Sequence, residues 1–484
     1  MKSKQRNKYL LKNTIIFAIG NFGTKMISFF LVPLYTNLLT TKEYGVVDLF
    51  TTICMVLVPI LTLNIGESVM RFALDKNSDK NRIMCTGIIC LITATILGVV
   101  ILPVSKCFYS LNSYSFYLYL FVISQGYSQV FLCYLRGKEK LVEYSIGNII
   151  QSLATAVLNI IFLAVLKMGI EGYLMSYIIA NFITAIYAAI VSNVKEVLLN
   201  FNLDFLLSKE MIKFSIVLIP NSFMWWIMNS SDRIMVTAML GAAENGIYAI
   251  SYKIPTLLTM ITTIFTQAWA YSAIREADSD DIDAYSNSIY NNMVSIVVLI
   301  AIGLLIFMKP FLRVYVAKSY FTAWMYTPFL MVGFVFMTLG SFLATSYTVN
   351  KDSKGYLYSG TFGAIINIIL NWILIPKIGI FGAAIATCIS YISVFLYRSF
   401  DIQKYNKIHI FQKKHLTEYV FLLIVAGTMF IDCNIGIILL FIELVICILI
   451  FRKIIFNILS VLKELVINGF KYIESLLVSK MNRK

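Results

Sequence analysis

Apolar stretches of roughly membrane-spanning length, separated by short polar turns, recur along the whole chain. Fourteen can be read: residues 13–36, 45–66, 83–104, 116–135, 146–166, 170–192, 212–240, 247–271, 290–308, 324–349, 356–376, 380–397, 417–431 and 435–451. A helix needs ~20 mainly apolar residues to cross a bilayer, so each stretch is an expected transmembrane helix. The thirteenth is the shortest.

The polar positions inside these stretches are more informative than the apolar ones. In the seventh, eighteen uncharged residues from Phe214 to Ser231 run into Asp232 and Arg233, and ten more uncharged residues follow before Glu244. An ionisable group inside a span costs at least ~2.5 kcal/mol unless it faces protein or water. Asn221, Trp225, Asn229 and Asp232 share one helical face, so this stripe must look inward. It reads either as the wall of a cavity or as an ion pair that joins two helices.

Other spans carry matching faces: Asn21, Lys25, Ser28 and Tyr35 on the first, and Asp48, Thr52, Pro59 and Thr62 on the second. The eighth presents Tyr248, Tyr252, Thr256, Thr259, Thr263 and Gln267, with Lys253 beside them. Set against Asp232, the cations Lys25, Arg233 and Lys253 leave an excess of two positive charges, which favours an anionic ligand. The alternative is that Lys25 and Lys253 snorkel to an interface. Pro33, Pro59, Pro220 and Pro255 fall in or at the ends of these four spans, where they kink helices and serve as hinges or as packing irregularities.

The chain repeats itself. Glu43, Tyr44 and Gly45 match Glu244, Asn245 and Gly246 at an offset of 201 residues. Lys140, Tyr144 and Ser145 recur as Lys354, Tyr358 and Ser359, and Lys167, Gly169 and Gly172 as Lys377, Gly379 and Gly382. Six spans per unit place both units in the same membrane orientation. The expected architecture is an all-α polytopic membrane protein of about 14 helices: an N-terminal lobe over 1–200, a C-terminal lobe over 201–400, two further spans over 401–456 and a basic tail over 457–484. In that tail Ile458, Leu462, Leu465, Ile473 and Leu476 make the apolar stripe of a cytoplasmic helix lying on anionic lipid or serving as a docking surface, with Asn468 and Gly469 as the positions that could break it.

Composition agrees: the 484 residues are 59% hydrophobic with a mean hydropathy of +0.80. A net charge of +15 would suggest nucleic acid in a soluble protein. Here 30 Lys and Arg fall on the side of the termini against 7 on the other, which predicts cytoplasmic termini and no nucleic-acid partner. The first stretch is too long for a cleavable signal. Eight scattered cysteines make no CxxC, and His409 and His415 share one basic loop, leaving no evident buried histidine relay. No GxxxxGK[ST] loop, metal-ligand spacing or nucleophile with a nearby base appears. The chain therefore reads as a non-enzyme without cofactor, driven by a gradient, the membrane potential or downstream use of its product, with Na+ or H+ open as coupling ion. The longest loops, near twenty residues, leave no room for a catalytic domain or for the large external loop of a polysaccharide polymerase or ligase.

The segments NTIIFAIGNFGTKMISFFLVPLYTNLLTTKEYGVVDLF and SSDRIMVTAMLGAAENGIYAISYKIP resemble the polysaccharide biosynthesis branch of the multidrug, oligosaccharidyl-lipid and polysaccharide exporter superfamily, and most of all its Wzx-type flippases. The resemblance implies two six-helix lobes around a cationic cavity with alternating access. It implies a lipid-linked oligosaccharide substrate, an undecaprenyl pyrophosphate-linked repeat unit moved from the inner to the outer leaflet of the bacterial cytoplasmic membrane. O-antigen, capsule and exopolysaccharide remain open as destinations. Expected partners are that substrate, membrane lipids and other polysaccharide assembly proteins. Lys25, Arg233 and Lys253 are then expected on the pyrophosphate or acidic sugars, Asp232 orienting Arg233, and Asn21, Asn229, Tyr252 and Trp225 lining the cavity. Tyr248 and Trp226 join Tyr252 and Trp225 as candidates for stacking on sugars. A cation-coupled drug exporter of the same superfamily is the alternative, disfavoured by the excess of cations over carboxylates.

Overall fold

A computed structural model of the chain describes residues 23–75, 78–99, 109–275, 279, 282–350 and 352–481. Every regular element among them is helical: α1 (23–30), α2 (Val32–Leu38), α3 (Thr41–Leu61), α4 (Ile65–Ala73), α5 (Lys80–Gly98), α6 (Ser115–Gly137), α7 (Leu141–Asn159), α8 (Gly169–Val191) and α9 (Val194–Leu199) in the first part of the chain. The second part holds α10 (Phe205–Met239), α11 (Ala242–Ser251), α12 (Lys253–Arg275), α13 (Ile282–Ile306), α14 (Met308–Tyr315), α15 (Thr327–Val349), α16 (Ser353–Ile378), α17 (Ile380–Asp401), α18 (Lys413–Thr428) and α19 (Asn434–Met481).

Ten helices among the described residues are long and apolar enough to cross a membrane. The other expected spans differ for visible reasons. The first begins outside the described residues, the seventh and eighth carry the polar faces, and the thirteenth, α18, has only 16 residues. The second is split: α3 stops at Leu61, two residues after Pro59, and Leu63 and Asn64 adopt a φ of +52° before α4 sets off anew. Proline removes an intrahelical hydrogen bond, so the end falls where the ladder is weakest. The tail is helical, as expected. α19 runs unbroken through Asn468 and Gly469 and continues the last helix.

The repeated turn explains itself physically. Thr40 caps α3 by accepting from the Glu43 N–H, while the Glu43 carboxylate accepts from the Thr40 N–H at 2.8 Å, a reciprocal capping box. In the second copy Gly241, at φ +112°, takes the cap position. The two copies pack on each other. A Cβ on Gly45 would lie 1.6 Å from the Ala242 carbonyl oxygen, and one on Gly246 2.0 Å from that of Thr41. Only glycine permits this approach of α3 and α11. Asn245 locks it, donating to the Gly45 carbonyl at 3.0 Å.

Near the same end, the segment 308–325 seats on the first spans. Tyr315 donates to the Phe29 carbonyl at 2.6 Å, Tyr320 to that of Leu39 at 2.9 Å, and Thr36 Oγ1 accepts from the Ala317 N–H. The final pair, α18 and α19, packs on α13 and α15. Ser295 donates to Glu418 at 2.7 Å, and Lys309 joins Asp432 while lying 3.6 Å over the Trp324 ring. His415 sits within this interface, fully buried and edge-on to Tyr290, where the sequence placed it in an open basic loop. Its Nδ1 donates to the Ile410 carbonyl at 2.9 Å, which folds the loop back onto the helix.

Candidate functional site

The charged groups of the spans meet where α3, α10, α11 and α12 converge. Arg233 Nη1 donates to Asp48 Oδ1 at 2.7 Å, and the guanidinium lies 5.0 Å over the Tyr252 ring. Asn245 donates to the other Asp48 oxygen at 3.3 Å. Asp48 is thus the partner of Arg233. The expectation that Asp232 orients Arg233 is corrected: the two are adjacent in sequence, yet their side chains leave α10 in different directions. What remains between them is the Arg233 N–H donating to Asp232 Oδ1.

Asp232 has a site of its own. Only 2% exposed, its Oδ2 accepts from Tyr248 at 2.6 Å, Tyr252 at 2.5 Å and Thr387 at 3.2 Å. Asn367 donates to Thr387 at 3.4 Å and accepts from Asn371 at 2.9 Å and from Ser231 at 3.3 Å. The Asn371 Oδ1 atom is buried and without a partner among the described residues. Hydroxyl donors replace the water that a buried carboxylate loses. The resulting set of hard oxygens is the kind that a proton or an alkali cation takes, and no cluster of three or more His, Cys, Asp or Glu occurs among the described residues.

Two cavities of about 320 Å³ each meet at Lys253, which lines both, and one of them also borders the Arg233–Asp48 pair. One also touches Lys25, Ser28, Thr256 and Thr259. The other opens among Asp48, Arg233, Gln125, Gln151, Tyr177 and Asn181. The structure therefore brings Lys25, Lys253 and Arg233 to a common region, as the sequence suggested. It changes the charge balance, because Asp48 joins Asp232 and the excess of two positive charges falls to one. It also changes the walls: the second cavity draws on α6, α7 and α8, beyond the first two spans of each repeat.

The aromatic expectations fare differently. Tyr248 and Tyr252 are 0% and 4% exposed and are committed to Asp232, so neither face is open to a sugar. Trp226 stacks on Phe223 and donates to the Thr52 carbonyl at 2.9 Å, tying α10 to α3. Asn21 lies outside the described residues, as do the side chains of Asn221, Trp225 and Asn229. Gln125, Gln151, Tyr177 and Asn181 were missed. They are neutral residues in apolar runs, and only their shared direction across three helices marks them.

Comparison with known proteins accords with this picture. A family model described as polysaccharide biosynthesis protein matches residues 10–271, just over half of the chain. An uncharacterized membrane protein of Methanocaldococcus jannaschii is 24% identical over 430 residues, covering 82% of this chain and 99% of the relative. One from Haemophilus influenzae is 23% identical over 266 residues, covering 54% and 64%. Among solved structures, the lipid II flippase MurJ in its inward closed conformation aligns with a TM-score of 0.63 at 15% identity, over 92% of this chain and all of that one. A multidrug resistance MATE family transporter, inward-facing, aligns at 0.62 and 15% identity, over 81% and 96%. These likenesses concern the fold alone. The chain belongs to the polysaccharide biosynthesis protein family.

Proposed function

We propose that this protein is a flippase that carries a lipid-linked oligosaccharide, an undecaprenyl pyrophosphate-bound repeat unit, from the inner to the outer leaflet of the cytoplasmic membrane. The observation that carries the proposal is Lys253, which borders both cavities, with Lys25 on one side and Arg233 on the other. A pyrophosphate entering an apolar slab loses its hydration, and fixed ammonium and guanidinium donors replace it with charge-assisted hydrogen bonds. The Arg233 Nε–H is buried without a partner among the described residues, a donor left over after the bond to Asp48. The polyprenyl chain stays among lipids while the head group crosses. Asp232 and its oxygen neighbours are where H+ or Na+ would couple to the movement.

The test is transfer of a labelled lipid-linked oligosaccharide in inverted vesicles that contain the purified chain, read as protection from an added glycosidase. The wild-type chain transfers it. Lys25→Ala and Lys253→Ala lose transfer while eluting as the folded species. A wild-type chain inert toward several glycans, yet driving gradient-dependent efflux of cationic dyes, overturns this reading in favour of drug export.

A further inference from the structure

The cavity on the far side of Lys253 has a chemistry that a pyrophosphate does not need. Its charged members are Asp48 and Arg233, which largely satisfy each other, and Lys253, which it shares with the neighbouring cavity. The rest of its polar lining is neutral, the amides Gln125, Gln151 and Asn181 beside the hydroxyls of Thr51, Tyr173 and Tyr177. Gln151 Nε2 donates to Asn181 Oδ1 at 2.5 Å, and Asn181 Nδ2 donates on to Ser124 at 3.3 Å, so these two amides are fixed in direction. Gln151 and Gln125 both line the cavity, and the Gln125 side chain makes no hydrogen bond with the described residues. Beside them stand Tyr173 and Tyr177, stacked at 4.8 Å, with Phe121 against Tyr177.

Amides that accept and donate at adjacent positions match vicinal hydroxyls, and aromatic faces match the C–H face of a pyranose ring. A phosphate would seek cations, and an aliphatic chain would leave the Gln125 amide without a partner. At about 320 Å³ the cavity is at the small end of ligand pockets. That is room for one ring and not for a chain of them. Its neighbour, the cavity of Lys25, shares Lys253. A diphosphate held there by Lys25 and Lys253 therefore delivers the sugar bonded to it, and no later one, to the amides.

Resting on the flippase reading, we propose that Gln125, Gln151, Asn181 and Tyr177 form a specificity subsite for the sugar directly linked to the pyrophosphate. Lys253 stands at the sugar–phosphate junction.

The experiment compares two carriers with the same lipid pyrophosphate, one bearing a single N-acetylhexosamine and the other a single hexose, in the vesicle assay. The wild-type chain prefers one of them. Gln151→Ala and Gln125→Ala lower that preference ~10-fold, the larger loss falling on the better carrier. Gln125→Ala guards against a folding defect, because the side chain it removes has no bond to lose. If the wild-type chain discriminates and both variants keep its ratio, or if it transfers both carriers equally, the subsite is overturned and the flippase reading stands. If it transfers neither carrier nor any longer lipid-linked oligosaccharide, both fall together.

Discussion

The guanidinium of Arg233 on α10 and the carboxylate of Asp48 on α3, 185 residues apart in the chain, meet at 2.7 Å. This pair ties α3 to α10 at the wall of one cavity, so it holds the site and fixes its charge at once. Removing either partner strands the other in a mostly dry setting, at a cost on the order of 3 kcal/mol. Asp48→Ala and Arg233→Ala are each expected to lower the thermal midpoint in detergent. The double variant should lose clearly less than the sum of the two. Additive losses would show that the pair does not act as a unit.

Gly45 and Gly246 allow the helices of the two repeats to touch through their backbones. Gly45→Ala puts a methyl group 1.6 Å from a carbonyl oxygen that belongs to a helix and cannot step aside. The expected result is loss of monodisperse protein in size-exclusion chromatography. Gly303→Ala, where a Cβ meets nothing within 4 Å, should behave as wild type. Normal behaviour of both variants would contradict the close approach.

Asp232→Asn keeps the shape of the carboxylate and one acceptor oxygen for the hydroxyls of Tyr248, Tyr252 and Thr387. The variant is expected to fold and to bind carrier lipid, but to transport at least ~10-fold more slowly and to ignore the imposed Na+ or H+ gradient. Tyr252→Phe, which removes one of three donors, should slow transport less. Gradient-dependent transport by Asp232→Asn would remove this carboxylate from the coupling step.

At the start of α16, Asp352 caps the helix by accepting from the Gly355 N–H at 2.9 Å, accepts from Tyr405 at 2.7 Å and pairs with Lys404 at 3.4 Å. These contacts, the backbone bond first, hold its carboxyl below the ordinary carboxylate range. A folded-state pKa lowered in this way contributes stability that is present above the unfolded value and lost as pH falls through the folded one. Melting curves taken down through the carboxylate range should show wild type losing stability more steeply than Asp352→Asn. Parallel curves would contradict the assignment.

How much of this could be read from the chain alone differs from residue to residue. Asp232 and Arg233 stand out in sequence because a charge within an apolar run has to be compensated. Lys25 and Lys253 stand out for the same reason. Gln151 and Asn181 do not, since an amide in a membrane helix costs less and is less rare. The repeat was visible at Glu43 and Gly45, yet the role of each residue was not. Glu43 closes a capping box and Gly45 admits a carbonyl, and both facts depend on what lies opposite.

By itself the sequence determined that the chain is made of membrane-spanning helices. Burying twenty apolar residues at a time in lipid is a property of each segment alone. Only the tertiary structure decided who partners whom: Arg233 with Asp48 in place of its neighbour Asp232, Tyr248 and Tyr252 turned to a carboxylate in place of a sugar, His415 buried in place of solvated. Pairing rests on direction and distance between helices, and those are set by close packing at glycines such as Gly45 and Gly246, far along the chain from the charges they bring together.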